Sequence, residues 1–229
     1  MSTQVNGRKM ILLIPAVAVL VFATISLGIK PAYAPGGTVT SFTYGYNSAT
    51  QTDTSASYGS NYVKVYANRG GTGSDIYATA AVYTPITLPS NAYNVRITSA
   101  SAQITGLLQD GSSDTSKGSN IVVTAWINGA ACPSPNTLPS TNASTQVLLF
   151  SQSKNSMTSP NPVTWSNHSV NTGMGGGINV TGGNACVVVK AVGGASSGAP
   201  ASPNTQSNFK DLTYGIKSLT VNWSYSTTP

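Results

Sequence analysis

Glutamate is absent from all 229 residues, and the only carboxylate side chains are Asp53, Asp75, Asp110, Asp114 and Asp211. The paired acids of glycoside hydrolysis therefore have little to be built from. Histidine occurs once, as His168, inside an Asn-His-Ser triplet, so a Ser-His-Asp triad has no distinct support. The chain also lacks a Gly-x-Ser-x-Gly elbow, a phosphate loop and a Cys/His cluster of metal-binding type. It is not expected to be an enzyme, to use a cofactor or to hold a metal. The two acids of Asp110-Gly-Ser-Ser-Asp114 lack the bidentate acid of a calcium loop and read as a polar turn.

Charge is scarce. Only 7% of residues are Asp, Glu, Lys or Arg, so the polar surface must consist mostly of neutral amides and hydroxyls. Acid unfolding acts largely through carboxylates that must be protonated; with five of them in the chain, an acidic exterior is expected to be tolerated. The formal charge of +6 is spread over Lys30, Lys64, Arg69, Arg96, Lys117, Lys154, Lys190, Lys210 and Lys217 beyond the leader, with no basic stripe. Nucleic-acid binding through counterion release needs clustered cations, so nucleic acid is not an expected partner.

Helical periodicity of useful length is missing after residue 37, and one hydrophobic run stands out before it. Arg8-Lys9 precedes the apolar stretch from Met10 to Phe22, which has the length of a signal-peptide core. The leader is expected to be a helix that is removed on export. It reaches the ~20 residues of a membrane span only if Thr24, Ser26 and Gly28 are included, so no stable span is expected after cleavage. Ala32-Tyr-Ala34 fits a cleavage site by size but is followed by Pro35; Val21-Phe-Ala23 also fits. A cut after Ala23 leaves Thr24-Ile-Ser-Leu-Gly-Ile29-Lys30, in which Ile25, Leu27 and Ile29 alternate with small or polar residues as in a strand with one buried face. The segment 31–37, rich in Pro and Gly, is expected to interrupt pairing and act as a linker. The Thr24–Ile29 strand is either the first strand of the protein's own sheet or a strand that completes the sheet of another subunit.

From residue 38 to 229 the chain reads as one all-β head domain. Strands are expected at Thr38–Tyr46, Tyr62–Asn68, Ile76–Thr84, Val95–Leu107, Ile121–Ile127, Gln146–Phe150, Val163–Val170, Ile178–Thr181, Cys186–Val192 and Thr213–Ser226. In the last of these, Leu219, Val221, Trp223 and Tyr225 share one face and Thr220, Asn222 and Ser224 the other, the pattern of one buried and one wet side. So many short strands joined by Gly- and Ser-rich turns suit a single β-sandwich with Greek-key or jelly-roll connections. The Gly-rich runs at 70–74, 172–177 and 193–204 are expected to be surface loops.

Cys132 and Cys186 are the only cysteines, an even pair in an exported chain, and are expected to form a disulfide. Sequons at Asn142, Asn167, Asn179 and Asn222 are candidate sites for N-linked glycans; the alternation of the last strand places Asn222 opposite Trp223, on its polar face. Lys30 is a candidate for an isopeptide bond, which a buried lysine forms with an adjacent Asn or Asp when a nearby carboxyl is held neutral.

The short alternating strand at 24–29, the Pro/Gly segment after it and the sequon-bearing domain rich in Ser, Thr, Asn and Tyr but without Glu together resemble the thread filament subunits of thermoacidophilic archaea. The likeness extends more loosely to archaeal bundling pilins. The resemblance implies a cell-surface homopolymer assembled head-to-tail, in which each β-sandwich is completed by a neighbour's donor strand, here Ile25, Leu27 and Ile29. Two other organisations fit the sequence. One is a type IV pilin cut near Lys9 that polymerises through a helix over residues 10–29; the other is a monomeric carbohydrate-binding β module.

Overall fold

The computed structural model describes residues 33–49, 53–69, 75–108, 119–154, 163–180, 183–195 and 210–227. The sequence-derived donor strand and Lys30 lie outside these residues, as does the Asp110–Asp114 turn. Residues Tyr33–Pro229 form one compact unit. Its strands are β1 (Tyr33–Val39), β2 (Tyr44–Ala49), β3 (Thr54–Gly59), β4 (Tyr62–Arg69), β5 (Ile76–Thr87), β6 (Ala92–Leu108), β7 (Ser119–Asn128), β8 (Val147–Lys154), β9 (Val163–Thr172), β10 (Asn184–Ala195) and β11 (Lys210–Thr227).

The fold is all-β, as expected, and is a sandwich of two antiparallel sheets. One has the order β3-β4-β11-β6-β9, with β1 also paired to β11; the other has the order β2-β5-β10-β7-β8. Strands stack across the layers in matched pairs, β4 on β5, β11 on β10, β6 on β7 and β9 on β8. The eight strands from β4 to β11 thus form a jelly roll, with four in each sheet and most connections passing between the layers. The first three strands widen this frame: β2 and β3 extend the two sheets on the same side, and β1 fills part of one flank.

Alternation decides which face is buried. In β4, Val63, Val65 and Ala67 face the core, and in β10 Ala185, Val187, Val189 and Ala191 do the same. Ile76, Ile97, Ile104, Ile121, Ile127 and Ile216 fill the space between the layers and are fully buried. Each such side chain stabilises the fold by about 1.5–3 kcal/mol relative to exposure.

Several sequence-derived boundaries move. The expected strand Thr38–Tyr46 is broken at residues 40–43, because the chain crosses there from one sheet to the other; Phe42 turns into the core and its N–H donates to Ser60 O at 2.7 Å. The segment 31–37, expected to interrupt pairing, enters the sheet at Tyr33, so strand structure begins before the expected head boundary at residue 38. Of the expected strand Ile178–Thr181, the described residues 178–180 supply a single bridge, Val95 with Ile178. Strand β3, with the mostly small and polar sequence Thr-Ser-Ala-Ser-Tyr-Gly, carries a weak hydrophobic signal; it pairs with β4 and packs Ala56 and Tyr58 against the core. Gly193 and Gly194 continue β10 where a loop is expected, because both pair with β5 and β7; a Cβ on Gly194 would lie 2.9 Å from the Tyr77 ring.

Candidate assembly interface

Strand β11 is the longest of the described strands, and its two halves have different neighbours on one flank. Lys210–Lys217 pair with Arg69–Tyr62 of β4, whereas Val221–Ser226 pair with Val39–Tyr33 of β1. On its opposite flank β6 runs along almost the whole strand. At the changeover Ser218 adopts a left-handed φ of 53° and the ladder to β6 is interrupted between Lys217 and Thr220.

Asn61, in the turn between β3 and β4, closes the resulting gap. Its Oδ1 accepts from the backbone N–H of the buried Leu219, and its Nδ2 donates to Thr40 O at 2.7 Å. One side chain thus replaces the missing ladder bond and ties down the chain leaving β1. The sequence carries no sign of this role beyond an Asn in a polar turn.

Strand β1 pairs with no strand but β11 among the described residues. Its ladder shifts register between Ala34 and Gly37. The glycines allow a close approach there: a Cβ on Gly37 would lie 2.8 Å from the indole of Trp223, and one on Gly36 would overlap the Trp223 carbonyl. Trp223 and Tyr225 stack with centroids 5.9 Å apart and pack against the core cluster, yet both remain only half-buried. This end of the sandwich is therefore less completely covered than its centre. The facing strand is also open here among the described residues, since β2 pairs with β5 only as far as Tyr83 and no described strand pairs with Thr84–Thr87 on that side. Pro85, which has no N–H to offer, lies in this open stretch.

Beside Asn222 the pairing is reinforced by side chains. Thr38 Oγ1 donates to Asn222 Oδ1 at 2.7 Å, and Asn222 Nδ2 donates to Ser99 Oγ at 2.8 Å, giving a polar row across β1, β11 and β6. Asn222 stands on the polar face as its alternation requires, but it is half-buried with both amide atoms engaged. The other sequons differ. Asn142 is half-buried and accepts at Oδ1 from Ser144 N, Asn179 is exposed and accepts from Asn94 N, and Asn167 is exposed. The acceptor Thr181 of the Asn179 sequon lies outside the described residues.

The outer face of the second sheet carries a small separate core. Tyr83, Trp126, Cys186 and Val188 are fully buried there, beneath the connection 129–146 between β7 and β8. The expected disulfide is present, with Cys132 and Cys186 Cα atoms 4.9 Å apart. The same connection accepts hydrogen bonds from Tyr83 OH at Ser134 O and from Trp126 Nε1 at Ser140 O, each 2.9 Å long. Lys190 Nζ lies 5.3 Å from the centre of the Trp126 ring, and burial lowers its pKa from the ordinary lysine value. Burial likewise raises the Tyr83 phenol, with the neighbouring Tyr58 and Tyr44 adding to the rise and a backbone hydrogen bond opposing it.

Among the described residues no group of three or more His, Cys, Asp or Glu comes together, and no helix is long and apolar enough to cross a membrane.

No protein-family model matches this chain, and no curated protein matches it. Among solved structures it is similar to TmCBM61 in complex with β-1,4-galactotriose, with 11% identity over 80% of this chain and 90% of that chain and a TM-score of 0.29. It is also similar to the Human Polyomavirus 6 VP1 pentamer, with 11% identity over 76% of this chain and 98% of that chain and a TM-score of 0.21.

Proposed function

We propose that this chain is the structural subunit of an extracellular archaeal surface filament, assembled head-to-tail by donor-strand complementation and serving adhesion or biofilm formation. The observation that carries the reading is the divided flank of β11. Half of it is completed by the permanent neighbour β4, and the other half by a strand at the N-terminal end of the head that pairs with nothing else among the described residues. Beyond β1, level with β3 in the same sheet, no described strand is placed.

Such an edge exposes backbone donors and acceptors beside the half-buried Trp223 and Tyr225, and an incoming strand satisfies both the polar and the apolar surface. The chain enters β1 at Tyr33, opposite Ser226 near the end of the last strand. The six residues Thr24–Ile29 span about 20 Å when extended and are joined to β1 by residues 30–32. Burial of Ile25, Leu27 and Ile29 in a neighbour contributes about 1.5–3 kcal/mol each before ordering costs. Lending a strand forward is a heterologous contact that does not close, so it propagates as a fibre. N-linked glycans and a Lys30 isopeptide bond are compatible additions to such a surface.

The decisive experiment is the N-terminal sequence of the native protein together with negative-stain microscopy of a variant lacking residues 24–29. A mature N-terminus at Thr24 and loss of filaments in the deletion are expected. Met10 at the N-terminus would point instead to a helical pilin, and Pro35 would remove the donor. Filaments that persist in the deletion would refute strand donation, and a wild-type protein that stays monomeric would favour a solitary binding module.

A further inference from the structure

Strands β4 and β11 face the core through Val63, Val65, Tyr214 and Ile216, so the alternate residues Tyr62, Lys64, Tyr66, Gly215 and Lys217 stand on the outer face of their sheet. The ladder sets Lys217 opposite Tyr62 and Gly215 opposite Lys64, and on its other side Gly215 pairs with Thr105 of β6. Two lysines far apart in the sequence thus become diagonal neighbours, about 8 Å apart at Cα from the spacing and rise of the strands. Tyr62, Lys64, Lys217 and Thr105 are all exposed, Tyr62 by 44%.

Gly215 forms a floor between them. A Cβ there would meet only Thr105 O, at 3.9 Å, so the row from Lys64 to Thr105 is sunk between the rows on either side. The Tyr62 ring leans over Gly59, where a Cβ would overlap it, and Tyr66 stands two residues beyond Lys64 on the same face. The result is a shallow trough that carries a phenol on each side of Lys64 and the hydroxyl of Thr105 across from it. Neither lysine forms an ion pair among the described residues. Asp211 lies opposite Asn68 at the far end of β4, and Asp53 is level with it, its carbonyl accepting from Asn68 N. Along β11, Asp211 is about 14 Å from the position opposite Lys64 and about 20 Å from Lys217, beyond the Debye length of ~8 Å at physiological salt.

We infer that this trough binds an acidic polysaccharide, a chain of pyranose rings that carry carboxylates. Lys64 and Lys217 complement its charge with no carboxylate close enough to cancel them. The two phenols offer apolar surface to the C–H faces of the rings while their hydroxyls stay in water. A nucleic acid of comparable length would need more clustered cations than two, and an acidic peptide brings no saturated rings to cover the phenols. The inference goes beyond strand donation and does not rest on it, since the trough lies on the outer face of the sheet and not at the β1 edge.

Equilibrium binding of the full chain to immobilised polygalacturonate at neutral pH tests this, with dextran, polyglutamate and single-stranded DNA as the other arms. Polygalacturonate should bind more tightly than all three. Lys64→Gln combined with Lys217→Gln should weaken that binding about tenfold, the size expected for two exposed charge contacts. Lys64→Arg with Lys217→Arg should keep it, and Tyr62→Ala should weaken it with both charges in place. These side chains are exposed, so the urea midpoint of each variant should match wild type, which separates lost binding from lost folding. A wild type that does not bind polygalacturonate, or a glutamine variant that binds it as wild type does, overturns the inference. Equal binding to dextran overturns the role of charge, and equal binding to polyglutamate or DNA overturns the saccharide. Filaments are scored separately by negative stain, so their loss with binding intact counts against strand donation alone.

Discussion

Asn61 is where the two occupants of the β11 flank meet, and replacing it tests the geometry of the interface directly. Asn61→Ala removes the acceptor for Leu219 N–H and the donor to Thr40 O. Leu219 is fully buried, so its N–H is left without a partner, which costs about 1–3 kcal/mol; the lost bond to Thr40 adds about 0.5–1.5 kcal/mol. A total loss of about 2–4 kcal/mol is expected. With a urea m-value of about 2 kcal/mol/M, the unfolding midpoint should fall by roughly 1–2 M. Asn61→Asp keeps an oxygen for Leu219 but gives up the donation to Thr40 and sets a carboxylate beside that carbonyl, so it should fall between wild type and Asn61→Ala. Hydrogen exchange supplies the residue-level check: the Leu219 amide should lose protection in Asn61→Ala while amides of β10 change only by the global loss. A stability change below about 0.5 kcal/mol in Asn61→Ala, with Leu219 still protected, would refute the assignment of Asn61 as the bridge across the gap.

Three further outcomes are expected. Thr145 Oγ1 accepts from Ile127 N at 3.0 Å and donates to Ile127 O at 2.7 Å, standing in for a ladder partner before β8 begins; Thr145→Val should therefore cost about 2–4 kcal/mol in urea unfolding, because two buried backbone groups lose their partner. Reducing the disulfide, whose cysteines are 54 residues apart, should cost about 4 kcal/mol by the loop-entropy argument and should shift tryptophan emission to the red as the cover over Trp126 loosens. Burial holds the phenols of Tyr83 and Tyr214 above the ordinary tyrosine value, and the Tyr214 hydroxyl has no partner among the described residues. The folded state then keeps protons that the unfolded chain releases above about pH 10, so stability is full below that pH and falls as pH rises past it. Absorbance at 295 nm should show Tyr83 and Tyr214 ionising only together with unfolding, while chemical denaturation between pH 7 and 3 should show only a shallow loss. Early ionisation of all 11 tyrosines in the folded protein would contradict the burial of these two.

Much of this architecture is legible without coordinates. The near-continuous apolar run at 186–192 and the alternation in 219–225 mark the two central strands, because a strand covered on both faces is apolar throughout while one buried on a single face repeats every two residues. The cysteine pair is legible because, in a chain with only two thiols, each has one possible partner within the chain. Other features leave no local trace. Strand β3 is mostly small and polar and depends on the ladder that β4 offers it; Gly194 looks like a loop residue yet is paired on both sides, with Tyr77 and Asn120, where a Cβ would crowd the Tyr77 ring. Residues 33–37 look like a spacer, yet Gly36 and Gly37 are what allow β1 to lie against Trp223.

The sequence by itself determined the β class, the faces of the long strands and the chemistry that is lacking, since these follow from residue type and a period of two. Only the tertiary structure decided that the last strand divides its flank between β4 and the N-terminal strand. It likewise decided that Asn61 bridges the junction and that Asn222 is tied into the sheet. Those outcomes depend on which strands become neighbours across more than a hundred residues of chain, as when Asn61 reaches Leu219, and no local pattern encodes a partner that distant.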